Sequence, residues 1–223
     1  MKHFNTRSLA VLLLAISATA CRSAAQGTPP AVPTPVDGHT HGGHIAPAAV
    51  PVDNGGHPWT EADVRFMSSM IGHHAQAIQI SLLAPTHGAS PEVRRLAARI
   101  INAQEDEIAT MQQWLRDRDQ PVPDAAHAHH AGDHALMPGM LTAEQVARLD
   151  AARGEEFDRL FLTFMIQHHS GAVSMVQQLF GSYGAAQDET VFKFASDVSV
   201  DQATEIDRMQ RMLEGLLFGS GAP

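Results

Sequence analysis

The sequence predicts an all-α protein, a four-helix bundle built from two duplicated helical hairpins. Three features support this prediction: two sequence blocks that occur twice in the same order, apolar residues at helical spacing within each block, and cap residues at the block boundaries. No segment shows the sustained alternation of polar and apolar residues that a half-buried strand requires. Two hairpins with short internal turns and one longer crossover make a bundle of four helices.

The duplication consists of two blocks that each occur twice. The first block comprises Phe66, Met70, Ile71, His73, His74 and Ala77, and it recurs as Phe161, Met165, Ile166, His168, His169 and Ala172. The second block comprises Gln104, Glu107, Ile108, Met111, Gln112 and Leu115, and it recurs as Gln202, Glu205, Ile206, Met209, Gln210 and Leu213. Because both blocks keep their order and nearly the same spacing, the chain contains a duplicated unit.

Each block follows the helical period. The residues that share one stripe are Phe66, Met70, His74 and Ala77 in the first block, and Gln104, Ile108, Met111 and Leu115 in the second. Recurrence every three to four positions is typical of an amphipathic helix. We therefore predict one helix for each copy of each block.

Cap residues predict where these helices begin and end. The start signals are Thr60 with Asp63, Ser90 before Pro91, Thr142 with Gln145, and Asp188. The stop signals are Pro85 with Gly88, Pro121, Gly181 with Gly184, and Gly219. The helix that starts after Thr142 is predicted to lead to the second His pair.

Composition narrows the range of functions. The 223-residue chain has a net charge of −9 and 5% aromatic residues, so we expect no nucleic-acid partner. A single Cys excludes an internal disulfide, an all-Cys zinc site and a Cys-held iron–sulfur cluster. The 14 His and 10 Met residues favour soft or borderline metal ions.

The repeated His pairs are the strongest candidates for metal binding. Met70 lies three positions before His73 and four before His74, so on a helix either pair can meet one ion. Imidazole nitrogen and thioether sulfur are ligands that Cu(I) accepts. The predicted ligand sets are Met70, His73, His74, Glu107 and Met111 in the first hairpin, and Met165, His168, His169, Met175, Glu205 and Met209 in the second.

These residues also allow structural interpretations. Met at helical spacing is ordinary core filler. Each His pair can instead be buried and hydrogen-bonded to Glu107 or Glu205 across its hairpin. Adjacent His side chains point about 100° apart on a helix, so we do not expect them to share one mononuclear site.

Two further segments are rich in His and poor in large apolar residues. We predict that residues 21–58 form a flexible tether, and that residues 119–141 form a crossover loop within a bundle at 59–219. The tether holds His39, His41, His44 and His57, and the loop holds His127, His129, His130, His134, Met137 and Met140. Mobile imidazole clusters can chelate Cu(II) weakly, whereas the alternative is a solvated linker in which His is incidental.

The N-terminus predicts export to the periplasm or the cell surface. Lys2 and Arg7 precede an apolar run that is too short to span a bilayer, and a small-residue cleavage site follows it. We therefore predict a signal peptide at residues 1–20. Cys21 directly follows the cleavage site and resembles the lipidated Cys of a bacterial lipoprotein, which implies an anchor on a membrane surface. A free thiol is the alternative.

The two blocks resemble the DUF305 family over about Trp59 to Leu217. The resemblance rests on Met-x-x-His-His-x-x-Ala, on Gln-x-x-Glu-Ile-x-x-Met, and on Met137-Pro138-Gly139-Met140 ahead of the second copy. It implies an exported, ferritin-like four-helix bundle that binds copper and contributes to copper resistance. The first copy has Ile80 where the second has Met175, which predicts a weaker first site.

These features favour a copper-sequestering or copper-carrying protein without catalytic turnover, with Cu(I) in the bundle and Cu(II) in the His-rich segments. A structural or signalling bundle that holds no metal is the main alternative. A ferritin-like di-metal oxidase would need a Glu-x-x-His motif on each of two helices, and the helical blocks contain none. The sequence does not determine the oligomeric state.

Overall fold

The computed structural model of the chain describes residues 58–124 and 137–219. These ranges contain five helices and no strand, which confirms the all-α prediction. The helices are α1 (Glu61–Ser81), α2 (Pro91–Arg116), α3 (Ala143–Ala151), α4 (Glu155–Gly181) and α5 (Glu189–Phe218). Outside the described residues lie the predicted signal peptide, Cys21, the tether up to residue 57, and His127, His129, His130 and His134, so the predictions for them stay predictions.

The four long helices pair as two hairpins. α1 packs against α2, α4 packs against α5, and the hairpins meet through α1 and α4. The short helix α3 packs on α4. Within the described ranges, no helix combines the length and the apolar character needed to cross a membrane.

The core consists of two apolar clusters, one towards each end of the bundle. The first cluster includes Phe66 of α1 and Phe194 of α5. The second cluster includes Ile80 of α1 and Phe161 of α4. One half of each long helix lies in the first cluster and the other half lies in the second. Helices that pack against each other contribute opposite halves, because they run antiparallel. Burying one large apolar side chain stabilises the fold by about 1.5–3 kcal/mol.

Four helices begin at the predicted caps. Thr60, Ser90, Thr142 and Asp188 each accept a hydrogen bond from the backbone N–H three residues further on. Thr60 and Thr142 form complete capping boxes, in which Asp63 and Gln145 accept from the cap backbone. Each such cap contributes about 1 kcal/mol to stability.

The helix predicted to run from Thr142 to the second His pair is interrupted, so this prediction is wrong. α3 ends at Ala151, and α4 begins at Glu155. Between them, Gly154 has a φ of 59°, a left-handed conformation that glycine adopts at little cost. The backbone N–H of Gly154 donates to the carbonyl of His87 at 2.9 Å. This hydrogen bond joins the break between α3 and α4 to the turn between α1 and α2.

Two buried aspartates tie the hairpins together at equivalent positions of the repeat. Asp63 of α1 accepts from the backbone N–H of Ala186 at 2.7 Å, in the turn between α4 and α5. Asp158 of α4 accepts from the N–H of Ser90 at 3.1 and 3.2 Å, at the start of α2. Each hairpin therefore holds the turn of the other. The sequence analysis gave Asp63 only a capping role and missed this pairing.

Candidate metal centre

A layer of buried polar side chains crosses the four long helices between the two apolar clusters. Its members are His73 and His74 of α1, Gln104 of α2, His168 and His169 of α4, and Gln202 of α5. The four imidazoles are 0% exposed. All six residues come from the duplicated blocks. The structure thus brings the His residues of both predicted sets into one polar layer.

His73 and His168, the inner pair, contact each other across the two hairpins. Their ring centroids are 3.9 Å apart, with 39° between the ring planes. Nε2 of His73 lies 3.0 Å from the carbonyl oxygen of Pro138. Because this oxygen can only accept, Nε2 carries the hydrogen and Nδ1 keeps its lone pair. Neither nitrogen of His168 has a hydrogen-bond partner among the described residues.

Burial keeps the inner pair neutral. Desolvation, followed by repulsion from His74, lowers the pKa of His73 to about 3. Desolvation, followed by repulsion from His73, lowers the pKa of His168 well below its usual value of 6.5. The backbone of His73 raises the pKa of His168 by a smaller amount, although the two groups are not aligned as a hydrogen bond. Two neutral imidazoles with unused lone pairs are suitable ligands for a soft metal ion.

His74 and His169 each contact a glutamate of their own hairpin, and these contacts are the outer pairs. Nε2 of His169 donates to Oε2 of Glu205 at 2.7 Å. Nε2 of His74 lies at the same distance, 2.7 Å, from Oε2 of Glu107, but the two groups are not aligned as a hydrogen bond. The side chains of Glu107 and Glu205 are 19% and 23% exposed, so the outer pairs connect the layer to the surface.

The polar layer contains many atoms without partners. Each of the four imidazoles has at least one nitrogen that makes no hydrogen bond within the described residues. The same holds for both amide atoms of Gln104 and for the side-chain oxygen of Gln202. An unpaired buried donor or acceptor costs about 1–3 kcal/mol, and native cores seldom keep one without water or a ligand. The layer therefore has the chemistry of a site that a bound ion or water completes.

The methionines of the predicted ligand sets lie in the apolar clusters on both sides of the layer. Met70, Met111 and Met175 belong to the first cluster, Met137 packs against it, Met165 and Met209 belong to the second, and Met140 is half-buried. Because α1 and α4 run antiparallel, Met175 joins the methionines of the first hairpin rather than those of the second. The expectation that the first copy, with Ile80 in place of Met175, forms the weaker site stays a prediction.

The predicted carboxylate and imidazole ligands meet as pairs. In residues 58–124 and 137–219, no group of three or more His, Cys, Asp or Glu side chains is spaced to hold a metal ion. Glu107 and Glu205 each contact the imidazole of their own hairpin, as the outer pairs. The structural interpretation, a buried His hydrogen-bonded to Glu across the hairpin, is thus realised at His169.

The segment of residues 137–141, the strap, contacts the inner pair through the carbonyl oxygen of Pro138, which accepts from His73. The side-chain amide of Gln76 accepts from the N–H of Leu141 at 2.8 Å and donates to its carbonyl at 3.0 Å. Nε2 of Gln167 donates to the carbonyls of Gly139 and Met140, each at 3.3 Å. The strap is therefore held by α1 on one side and by α4 on the other.

Gly171 allows the strap to approach α4 closely. A Cβ at this position would lie 2.0 Å from the carbonyl oxygen of Pro138, a distance that real contacts do not reach. Gly171 occupies the place that Gln76 has in the first copy of the repeat. The sequence analysis missed both residues. The signal that could have found them is this divergence between the copies, three positions after the first His of each pair.

An acidic groove of about 440 Å³ runs between α2 and α5 and reaches one outer pair. The carboxylates that line it are Asp106, Glu107, Glu189, Asp197 and Asp201. The lining also contains Lys193, which forms an ion pair with Asp197. Desolvation, followed by repulsion from Glu107 and Asp197, raises the pKa of Asp201. Glu107 belongs to both features, because it lines the groove and contacts His74.

Solved structures share this fold. A DUF305 fragment from Deinococcus radiodurans is 31% identical, with a TM-score of 0.61 over 70% of this chain and 98% of that chain. A DUF305 protein from Streptomyces coelicolor is 26% identical, with a TM-score of 0.60 over 70% and 92% of the two chains. CopM in its Cu(II)-bound form is 30% identical, with a TM-score of 0.56 over 69% and 96%.

The family match is more direct. No curated protein matches the chain significantly. The family model of DUF305, a domain of unknown function, matches residues 63–213, which include both His pairs and both glutamates of the outer pairs. The match spans more than half of the chain, and the duplicated motif falls inside it. The chain therefore belongs to the DUF305 family.

Proposed function

We propose that this protein binds copper outside the cytoplasm, for sequestration or transfer, without catalytic turnover. The observation that carries the proposal is the inner pair, two fully buried and neutral imidazoles that face each other and keep lone pairs without partners. CopM, which shares the fold, has been solved with Cu(I), Cu(II) and silver bound. Both observations support a soft metal ion as the cargo of the polar layer.

Cu(I) suits the polar layer because it accepts neutral nitrogen and sulfur ligands. His73 and His168 would supply the nitrogen. The methionines that flank the layer and would supply sulfur are Met70, Met111 and Met175 on one side, and Met165 and Met209 on the other. A monovalent ion is also the less costly charge to bury, because the desolvation penalty rises steeply with charge.

Binding without turnover is supported by the distribution of the carboxylates. The glutamates of the outer pairs each contact an imidazole of their own hairpin. Di-metal oxidases of ferritin-like bundles instead use a Glu from two helices and a Glu-x-x-His motif from each of the others. Carboxylates suit hard metal ions, whereas the buried polar layer of this bundle offers imidazole groups, with thioether groups in the apolar clusters on both sides.

A purely structural layer is the second candidate function, and one observation favours it. The hydrogen bond between His169 and Glu205 satisfies a buried imidazole without any ligand. A layer of this kind would specify the packing of the bundle rather than bind an ion. It predicts that replacing an inner His changes stability and leaves copper affinity unchanged.

Anaerobic Cu(I) titration of the mature chain against a competing chelator separates these candidates. His168→Gln removes one inner imidazole. His87→Gln is a matched control, because His87 is also buried but bonds Asp150 outside the polar layer. We expect at least about 100-fold weaker Cu(I) binding for His168→Gln and no change for His87→Gln. Equal affinities in wild type and both variants, with a lower melting temperature for His168→Gln, would establish the structural layer instead.

The His-rich segments form a second, weaker component of the proposal. The imidazoles of residues 22–57 would bind Cu(II), and this binding would weaken below their ordinary pKa of about 6.5, because only neutral imidazole ligates. Deleting residues 22–57 should reduce Cu(II) capacity and leave Cu(I) binding unchanged. Loss of Cu(I) binding in this deletion would move the Cu(I) site out of the bundle.

Export and lipidation at Cys21 complete the proposal. The solved neighbour from Streptomyces coelicolor carries the description of a secreted protein, which supports export. Intact-mass analysis of protein from the native host should show a chain that begins at Cys21 and carries acyl groups. An unmodified chain that begins at Cys21 would remove the membrane anchor and leave export in place.

A further inference from the structure

We propose that the acidic groove between α2 and α5 is the path by which a soft monovalent metal cation reaches the inner pair, and that Glu107 passes the ion to His74. This inference rests on the proposed function, since it names the route into the same polar layer. The groove would set the rate at which the metal ion reaches the polar layer, whereas the buried ligands would set the affinity.

The groove concentrates negative charge beside a neutral interior. Asp106, Glu107, Glu189, Asp197 and Asp201 line it, and Lys193 is paired with Asp197. A cleft lined by charges of one sign raises the local concentration of the opposite ion and increases association rates by about 10- to 1,000-fold. The inner pair carries no charge, so it cannot attract a cation over a distance. The groove supplies this attraction.

Glu107 connects the groove to the polar layer. Its side chain is 19% exposed, yet its Oε2 lies 2.7 Å from Nε2 of His74. His74 is 0% exposed, and neither of its nitrogens has a hydrogen-bond partner within the described residues. A fully buried imidazole that makes no aligned hydrogen bond within the described residues therefore contacts a carboxylate that lines the groove.

The second outer pair is built differently. His169 and Glu205 form an aligned hydrogen bond, and Glu205 does not line the groove. An ion that enters beside Glu205 would have to break this bond. The pair of His74 and Glu107 has no such bond to break, because its two groups are close but misaligned. The first hairpin therefore offers the open route.

The rings of the layer continue the route inwards. The centroids of His74 and His73 are 6.4 Å apart, and those of His73 and His168 are 3.9 Å apart. Passage from carboxylate to imidazole exchanges a hard ligand for one that a soft cation prefers. The groove carboxylates form no three-ligand cluster in the described part of the chain.

Silver(I) loading tests this route without a redox step, because Ag(I) is stable in water. The full mature chain is mixed rapidly with silver nitrate in chloride-free buffer and quenched with thiosulfate, and bound silver is then measured by mass spectrometry. The groove variant carries Asp106→Asn, Asp197→Asn and Asp201→Asn, all at exposed positions. The control variant carries Glu61→Gln, Glu155→Gln and Glu214→Gln, which are exposed, lie outside the groove and change the net charge equally.

We expect the groove variant to load about 10-fold more slowly than wild type at low ionic strength. The control variant should load within about 2-fold of wild type, because the three charges that it lacks lie outside the groove, where salt screens their attraction for the entering ion. The difference between the two variants should shrink as nitrate is raised towards 1 M. Equal slowing of both variants would overturn the groove and leave the proposed function intact. Failure of the wild type to hold silver at equilibrium would overturn both.

Discussion

The inner pair and the outer pairs are made of adjacent residues, yet their surroundings give them different chemistry. His73 and His168 lie against each other across the hairpins, and each keeps at least one nitrogen without a hydrogen bond within the described residues. His74 and His169 instead contact partly exposed glutamates within their own hairpins. A helix separates neighbouring side chains by about 100°, so the two residues of each His-His dipeptide lie in different environments. In the proposed function, the first His of each pair is a metal ligand, and the second connects the polar layer to a partly exposed glutamate.

Acidification should reveal this difference most strongly. The pKa of both inner imidazoles is lower in the folded chain than the value of about 6.5 expected when unfolded, so below that pH the unfolded chain binds more protons. Stability should be fully retained above about pH 6.5. Towards pH 3 the free energy of unfolding should fall by about 1.4 kcal/mol per pH unit for each imidazole.

Urea unfolding across this pH range measures the effect. His168→Gln should remove the contribution of one imidazole and flatten the pH dependence. His87→Gln serves as the control for loss of a buried His outside the layer. An unchanged slope in His168→Gln would mean that His168 binds protons equally in the folded and the unfolded chain, which would contradict its burial as a neutral group.

Copper affinity should separate inner from outer residues by one to two orders of magnitude. His168→Gln removes a proposed ligand and should cost about 100-fold or more in Cu(I) affinity. His169→Gln removes the hydrogen bond to Glu205 and should cost about 10-fold or less, with a lower melting temperature. Chelator competition and thermal melts on the same samples compare the two. A larger affinity loss for His169→Gln would reverse the assignment of inner and outer residues.

The sequence predicted the fold closely and the site in part. The caps at Thr60, Ser90, Thr142 and Asp188 are local hydrogen-bond patterns, so sequence alone located the helix starts. The break at Gly154 was missed, because it depends on a contact with the turn at His87, which is distant in sequence. Local information fixes helices, whereas contacts between hairpins decide where a helix is interrupted.

The repeated motif identified the four His residues but not their grouping. Sequence spacing groups residues along one helix, so it predicted two separate hairpin sites. The antiparallel packing of α1 on α4 places His73 against His168 and moves Met175 to the first apolar cluster. The roles of Gln76 and Gly171 could not be predicted from the repeat, because both residues contact the strap, which belongs to neither repeated block.

The strap should contribute to the stability of the bundle through its close approach to α4. Gly171→Ala places a Cβ 2.0 Å from the carbonyl oxygen of Pro138, so the strap or the helix must shift, at a cost of about 1–3 kcal/mol. Gly215→Ala is the matched control, because a Cβ there meets nothing within 4 Å and should stabilise α5 by about 0.5–1 kcal/mol. Thermal melts of both variants check this. Equal stability changes would show that the strap is not held against α4.

The central claim is that the two hairpins share one copper centre at the inner pair. The most direct test counts the Cu(I) ions held against a strong chelator by His73→Gln, by His168→Gln and by the double variant. A shared centre predicts that each single variant loses the same ion and that the double variant loses no more. Two independent hairpin sites predict one ion lost in each single variant and two in the double, and this result would contradict the account.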